Sequence, residues 1–219
     1  MGVIFLLLLK NKLEILIPDA TYHIYNRANG NEKLFLSNDN YKYFLEKYIS
    51  YITPIADTFC YCLMPNHFHF LIRIKSEKEL MVFFKGNNKY LEGFQKLQGI
   101  ELVDSLEKLI SNQFSNFFNS YAKAFNKCHN RKGSLFMHTY KRKRIQDKKY
   151  LYKLVHYIHF NPIEAGLCAN INEWQYSSYN SIISEKATYI KREEIIEWFA
   201  DVENFIYVHK LQPLSIEID

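Results

Sequence analysis

The stretch Tyr61–Ile74, YCLMPNHFHFLIRI, sets two imidazoles, His67 and His69, inside an apolar run with one phenylalanine between them. Phe, Leu and Ile dominate the run, and Pro65-Asn66 precedes it as a turn signal, so the pattern predicts a β-strand. Side chains alternate between the two faces of a strand. His67, His69, Leu71 and Arg73 therefore share one face. Phe68, Phe70, Ile72 and Ile74 share the other, which reads as the core face. The preceding run Thr58–Met64, TFCYCLM, is the expected hairpin partner. Two imidazoles on one face can grip a single metal ion, and they can equally be ordinary histidines on a half-buried sheet. A metal needs a third ligand from elsewhere in the chain.

Outward from this hairpin, Ala20–Ala28 (ATYHIYNRA) alternates as a first strand. Asn38–Ile52 has helical spacing at Tyr41, Phe44, Leu45, Tyr48 and Ile52 behind an Asn/Asp cap. A short helix is expected around Glu79–Phe84, inside a stretch up to Val103 that is otherwise ambiguous. Leu106–Asn130 reads as a long amphipathic helix, broken at Asn130–Gly133. Ser134–Gln146 reads as a strand running into a basic stretch. Asp147–Phe160 reads as a helix capped by Asp147 and stopped before Pro162, and Lys191–His209 as a further helix. The order is strand, helix, strand, strand, helix, strand, helix. That predicts an α+β fold: a ferredoxin-like antiparallel sheet with helices packed on it, plus a C-terminal helical extension.

The chain has 219 residues, enough for one domain with an appendage, and 48% of them are hydrophobic, which excludes a disordered protein. The net charge of +5 permits an anionic partner without demanding one. Four cysteines, at 60, 62, 128 and 168, contain no Cys-x-x-Cys pair and read as reduced thiols of a cytoplasmic protein. Val3–Leu9 is apolar, but it is too short to span a bilayer, no basic n-region precedes it and no small-residue cleavage site follows, so residues 1–19 read as an N-terminal extension and no membrane partner is expected.

The helix Lys149–Phe160 is the second informative stretch. Leu151, Leu154, Val155 and Ile158 follow the i, i+3, i+4, i+7 rule and form its buried stripe. Tyr157 and Asn161 lie one turn apart beside that stripe. If this helix packs on the His67/His69 face, Asn161 becomes a candidate oxygen ligand and Tyr157 a candidate nucleophile. Tyr157 also reads as one more boundary tyrosine in a chain with 17 of them.

YHIYNR at 22–27, CLMPNHFHFLIRI at 62–74, SYAKAFNKCHNRKGSLFMHTYKRKRI at 120–145 and YLYKLVHYIHFNPIEAGL at 150–167 occur together in one order. Each motif alone is weak. Together they resemble the IS200-like Y1 transposase superfamily, and within it the REP-associated tyrosine transposases, over about 20–179. The resemblance implies an HUH endonuclease domain over 20–183, with 184–219 as a C-terminal extension. His67 and His69 would be the paired metal ligands, Asn161 the third and Tyr157 the nucleophile. The insertion-sequence relatives usually carry Gln where this chain has Asn161. The implied cofactor is a divalent cation, magnesium or manganese. The implied substrate is single-stranded or hairpin DNA, cut through a 5′-phosphotyrosine intermediate. The implied protein is a monomer or homodimer.

Lys141, Arg142, Lys143 and Arg144, with Arg131 and Lys132 upstream, are candidates to track phosphates, and on a strand Lys141 and Lys143 face opposite to Arg142 and Arg144. Asn26 and Arg27, after the first strand, are candidate DNA or site-supporting residues. Tyr25, Phe136 and Tyr140 are candidates to stack unpaired bases. His23, His138, His156 and His159 receive no ligand role, and His159 is expected to face solvent or DNA. Two rival readings stand beside this one. One is a non-catalytic DNA-binding protein that retains the fold. The other is an unrelated metal hydrolase using His67 and His69.

Overall fold

The computed structural model describes residues 14–86 and 100–214. Residues 1–13, most of the 1–19 extension, and most of the ambiguous 85–103 stretch lie outside it. The elements run β1 Thr21–Arg27, α1 Asn38–Tyr51, β2 Ala56–Met64, β3 His67–Ile74, α2 Glu77–Gly86, α3 Ile100–Cys128, β4 Lys141–Ile145 and α4 Lys148–Glu164. A 3₁₀ turn, Ile171–Glu173, and short helices α5 Tyr179–Ile182, α6 Arg192–Trp198 and α7 Val202–Lys210 follow.

The four strands form one antiparallel sheet in the order β2-β3-β1-β4. This is the ferredoxin-like arrangement, in which α1 and α3 each bridge two parallel strands separated by an antiparallel one. Register decides what each face carries. Tyr25 pairs with His69, Arg27 with His67, and Lys141 with Tyr25. One face therefore presents His23, Tyr25, His67, His69, Lys141 and Lys143. The other presents Tyr22, Ile24, Phe68, Phe70 and Arg142.

The second face meets α1 and α3. Tyr48 stacks on Phe70 at 4.1 Å, Phe44 packs against Phe68 and Phe117, and all five rings are buried. Each such ring contributes about 1.5–3 kcal/mol by leaving water. The phenols keep partners inside this core: Tyr48 shares a hydrogen bond with Thr58 at 2.8 Å, and Tyr121 donates to the Leu34 carbonyl at 2.6 Å. Phe136, a stacking candidate from sequence, is largely buried in the same core against Phe68, Phe118 and Tyr121.

The first face is covered by α4, which packs mainly on β2 through buried Leu154, Val155 and Ile158. Asp147 caps α4 as expected, its side chain accepting from the Lys149 amide. The helix does not stop before Pro162 but continues to Glu164. Pro162 falls in the last turn, so its missing N–H removes only one terminal bond, and Gly166 at φ 68° then turns the chain away.

The segment read as one helix, Lys191–His209, is two. Ala200 takes a left-handed φ of 73° and Asp201 caps α7, accepting from the Asn204 amide at 2.6 Å. This segment joins the common core through buried Ile195 and Phe205. Arg73 ties α6 to the sheet, donating to Glu194 at 2.6 Å and to Asp57 at 3.1 Å. Among the described residues no helix is long and apolar enough to cross a membrane.

Candidate functional site

His67 and His69 project from β3 into a cleft of about 620 Å³, lined also by Tyr25, Arg27, Asn66, His138, Lys141 and Tyr157. The helix α4 brings Tyr157 edge-on to His69, ring centres 5.6 Å apart, and Asn161 one turn further on. Strand alternation and helix periodicity thus bring together all four of His67, His69, Tyr157 and Asn161.

Hydrogen bonding fixes which atoms face inward. The Asn161 amide nitrogen donates to the Tyr157 carbonyl at 3.0 Å, which turns Oδ1 toward His67. The Asn66 side-chain oxygen, from the hairpin turn, lies 2.7 Å from His67 Nδ1. An amide oxygen only accepts, so Nδ1 carries the proton and Nε2 keeps its lone pair. His67 Nε2 and Asn161 Oδ1 then face each other at 3.4 Å, two acceptors with no proton between them. That spacing is what two ligands with bonds of roughly 2.1 Å subtend at a tetrahedral centre.

His69 is 4% exposed, and its Nδ1 lies 2.9 Å from Nε2 of His23, which leaves Nε2 as the ring nitrogen that His23 does not engage. Burial holds His69 well below the ordinary histidine range, with His23 and His67 adding to the effect. It also lowers His67, where the Asn161 contact works the other way and Arg27 adds to the lowering. Both imidazoles are therefore uncharged at neutral pH, the form that binds metals.

The candidate donor set is two neutral imidazoles and a neutral amide. Among the described residues there is no group of three or more His, Cys, Asp or Glu able to hold a metal. The candidate set at the cleft counts two histidines and draws its third donor from an asparagine. Its chemistry fits a divalent cation that takes further oxygen ligands from elsewhere. The Tyr157 phenol is raised above its usual value, first by burial and further by Glu164, with Asn161 opposing.

The basic candidates divide by strand face. Lys141 is exposed and lines the cleft, and Lys143, on the same face, lies 5.2 Å from the centre of the Tyr150 ring. Arg142 points the other way into α3, donating to Ser111 at 3.0 Å and Glu107 at 3.2 Å, so its charge is met inside the protein. Arg144 is exposed, with its backbone amide on the Glu14 carboxylate. Arg131 braces its own loop against Glu32 and the Ser134 carbonyl, and Lys132 is exposed. Arg27 is exposed at the cleft, and the buried Asn26 side chain accepts from the Arg27 amide at 2.8 Å. Tyr140 stacks on Phe114 and takes a hydrogen bond from Arg142, whereas Tyr25 remains at the cleft.

Two histidines fall where sequence reasoning did not put them. His159 is fully buried, bonded to His209 at 3.0 Å and Ser178 at 2.8 Å, because α7 covers the side of α4 expected to meet solvent. His23, given no role from sequence, is fully buried against His69. The signal was present in the strand parity: once β1 is paired antiparallel to β3, His23 and His69 become diagonal neighbours on one face.

No family model and no curated protein matches the sequence. Three solved chains match. One is a REP-associated tyrosine transposase bound to a REP hairpin. It has a TM-score of 0.52 and 14% identity, over 80% of this chain and 86% of that one. The likeness establishes the fold, an α+β unit built on a four-stranded antiparallel sheet.

Proposed function

We propose that this chain is a metal-dependent enzyme that nicks and rejoins single-stranded DNA beside a hairpin, with Tyr157 as nucleophile. The observation that carries the reading is the meeting of Tyr157, His67 and His69 at one cleft, with Asn161 beside them and its Oδ1 3.4 Å from His67 Nε2. The fold shared with a tyrosine transposase that binds a DNA hairpin supports it. The polarity of the cut and the single-stranded or hairpin substrate come from what the sequence resemblance implies.

His67, His69 and Asn161 would hold the divalent cation. When bound, the cation withdraws charge from a non-bridging oxygen of the scissile phosphate. Because the three ligands are neutral, they leave the cation's charge undiminished for the anion. Tyr157 supplies the covalent step. Its phenolic oxygen loses a proton and bonds to phosphorus while the bond from phosphorus to the 3′ oxygen breaks. That oxygen takes up a proton and leaves as a 3′-hydroxyl. One phosphoester replaces another, so the same atoms run the reaction backward to rejoin strands. Burial keeps the phenol protonated in the resting protein. Lys141 and Arg27 line the cleft and would meet flanking phosphates.

The test is incubation of the protein with a labelled hairpin carrying a single-stranded flank, with manganese or magnesium. A covalent protein–DNA adduct that needs the metal supports the proposal. Hairpin binding without any cleavage favours the non-catalytic reading, and cleavage that survives Tyr157→Phe favours a metal hydrolase.

A further inference from the structure

The fully buried His23 has no role in the chemistry above, yet its Nε2 lies 2.9 Å from Nδ1 of a proposed ligand. Its other nitrogen, Nδ1, is buried with no hydrogen-bond partner among the described residues. A buried polar atom with no partner is uncommon in a folded protein and calls for a reason. The His23 ring is fully buried and packs against the Tyr25 ring, centres 4.6 Å apart, and the His69 ring, centres 5.1 Å apart.

A pair of neutral imidazoles joined this way has two proton arrangements. In the first, His23 Nε2–H donates to His69 Nδ1. The proton of His69 then sits on Nε2, which faces away from His23 and cannot bind a metal. In the second, His69 Nδ1–H donates to His23 Nε2. Nε2 of His69 then carries a lone pair, and the proton of His23 moves to the orphaned Nδ1.

We propose that His23 is a positioning residue for the metal site: it accepts the Nδ1 proton of His69, and so fixes the lone pair of His69 Nε2 as a ligand. The inference rests on the reading of His67, His69 and Asn161 as metal ligands. It explains the unpartnered Nδ1 as the proton store of the pair. In the first arrangement that nitrogen is a bare acceptor, and in the second it bears the displaced proton. Second-sphere partners that orient a ligating histidine are usually carboxylates or carbonyls, and losing one costs about 10- to 100-fold in metal affinity. A neutral imidazole in that place adds no negative charge beside the ligands.

The experiment measures manganese affinity by electron paramagnetic resonance on the full chain, without DNA. The variants are His23→Phe, which keeps a ring and removes the acceptor, and His23→Gln, which returns an acceptor near the position of Nε2. His67→Ala is the control. His23→Phe is expected to weaken manganese binding about 10- to 100-fold, and His23→Gln to recover most of it. Manganese affinity unchanged in His23→Phe, or no recovery in His23→Gln, overturns the proposal. If wild type binds no manganese, or His67→Ala binds it as tightly, the metal reading itself fails and takes this inference with it. Imidazole ¹⁵N spectra of the wild type with zinc decide the question if His23→Phe does not fold. The Nδ1 of His69 must then be protonated and the Nε2 of His23 not; the opposite pattern contradicts the proposal.

Discussion

Two acceptor atoms, His67 Nε2 and Asn161 Oδ1, point at one another across 3.4 Å, and each is held there by a hydrogen bond on its far side. Like atoms so fixed gain nothing from each other and gain much from a cation. Asn161→Ala removes one of them. The Tyr157 carbonyl loses only a side-chain donor, so stability should fall by no more than about 1.5 kcal/mol. Adduct formation should need at least roughly tenfold more metal, as for other lost metal-site partners, and recover in part as manganese is raised. A metal titration of adduct yield, run beside a melting curve, separates the two effects. An unchanged metal requirement would remove Asn161 from the proposed ligand set.

At the scale of elements, β4 and α4 each use their two sides differently. On β4, Lys141 is exposed at the cleft while Arg142 is spent on Glu107. Lys141→Ala should reduce the salt dependence of hairpin binding by about one unit of slope, with the melting temperature unchanged. Arg142→Gln should instead leave the Glu107 carboxylate with only the Ser111 hydroxyl as partner and cost roughly 1.5–3 kcal/mol of stability. A melting temperature unmoved by Arg142→Gln would show that this ion pair holds nothing. The letters KRKR do not separate these roles; strand parity does so only once the neighbouring helix is known.

On α4, the side away from the cleft carries His156 and His159, closed over by His209 of α7. Burial pushes His209 down to about 3 and His159 well below the ordinary range. Between pH 6.5 and about 3, His209 is protonated in the unfolded chain but not in the folded one, so the unfolded state binds more protons. Stability therefore rises with pH through this window and is lost as pH falls below about 6.5, by up to about 1.4 kcal/mol per unit for this group. Melting temperature should drop on acidification from pH 7 to pH 5, and His209→Leu should flatten that drop. An identical slope in the variant would mean that other groups set the acid sensitivity.

For the whole molecule, the parts legible in the sequence are those written as periodicity. Alternation at 67–74 separated the imidazole face from the phenylalanine face. A 3.6-residue spacing at 151–158 placed Tyr157 and Asn161 beside the buried stripe. What escaped was set by partners distant in sequence. His159 is buried because α7 returns over α4 from 50 residues away. Lys191–His209 breaks because Ala200 turns left-handed before an Asp cap, although its apolar spacing continues through the break. Pro162 fails to end α4 because it removes a single bond, the one the Ile158 carbonyl would have accepted, and only two further residues follow it in the helix.

The proposed chemistry depends on the phenol that Tyr157 brings to the cleft from α4. Replacing it by Phe deletes one oxygen and retains the ring beside His69, so fold and hairpin affinity should persist. The most direct measurement is an adduct assay on labelled hairpin DNA with manganese, followed by peptide mapping of the linked residue. The account predicts a phosphotyrosine at Tyr157 in the wild type and no adduct in Tyr157→Phe, with Tyr121→Phe, Tyr140→Phe, Tyr150→Phe and Tyr152→Phe each still forming one. An adduct on another residue, or full-rate cleavage by Tyr157→Phe, would contradict it.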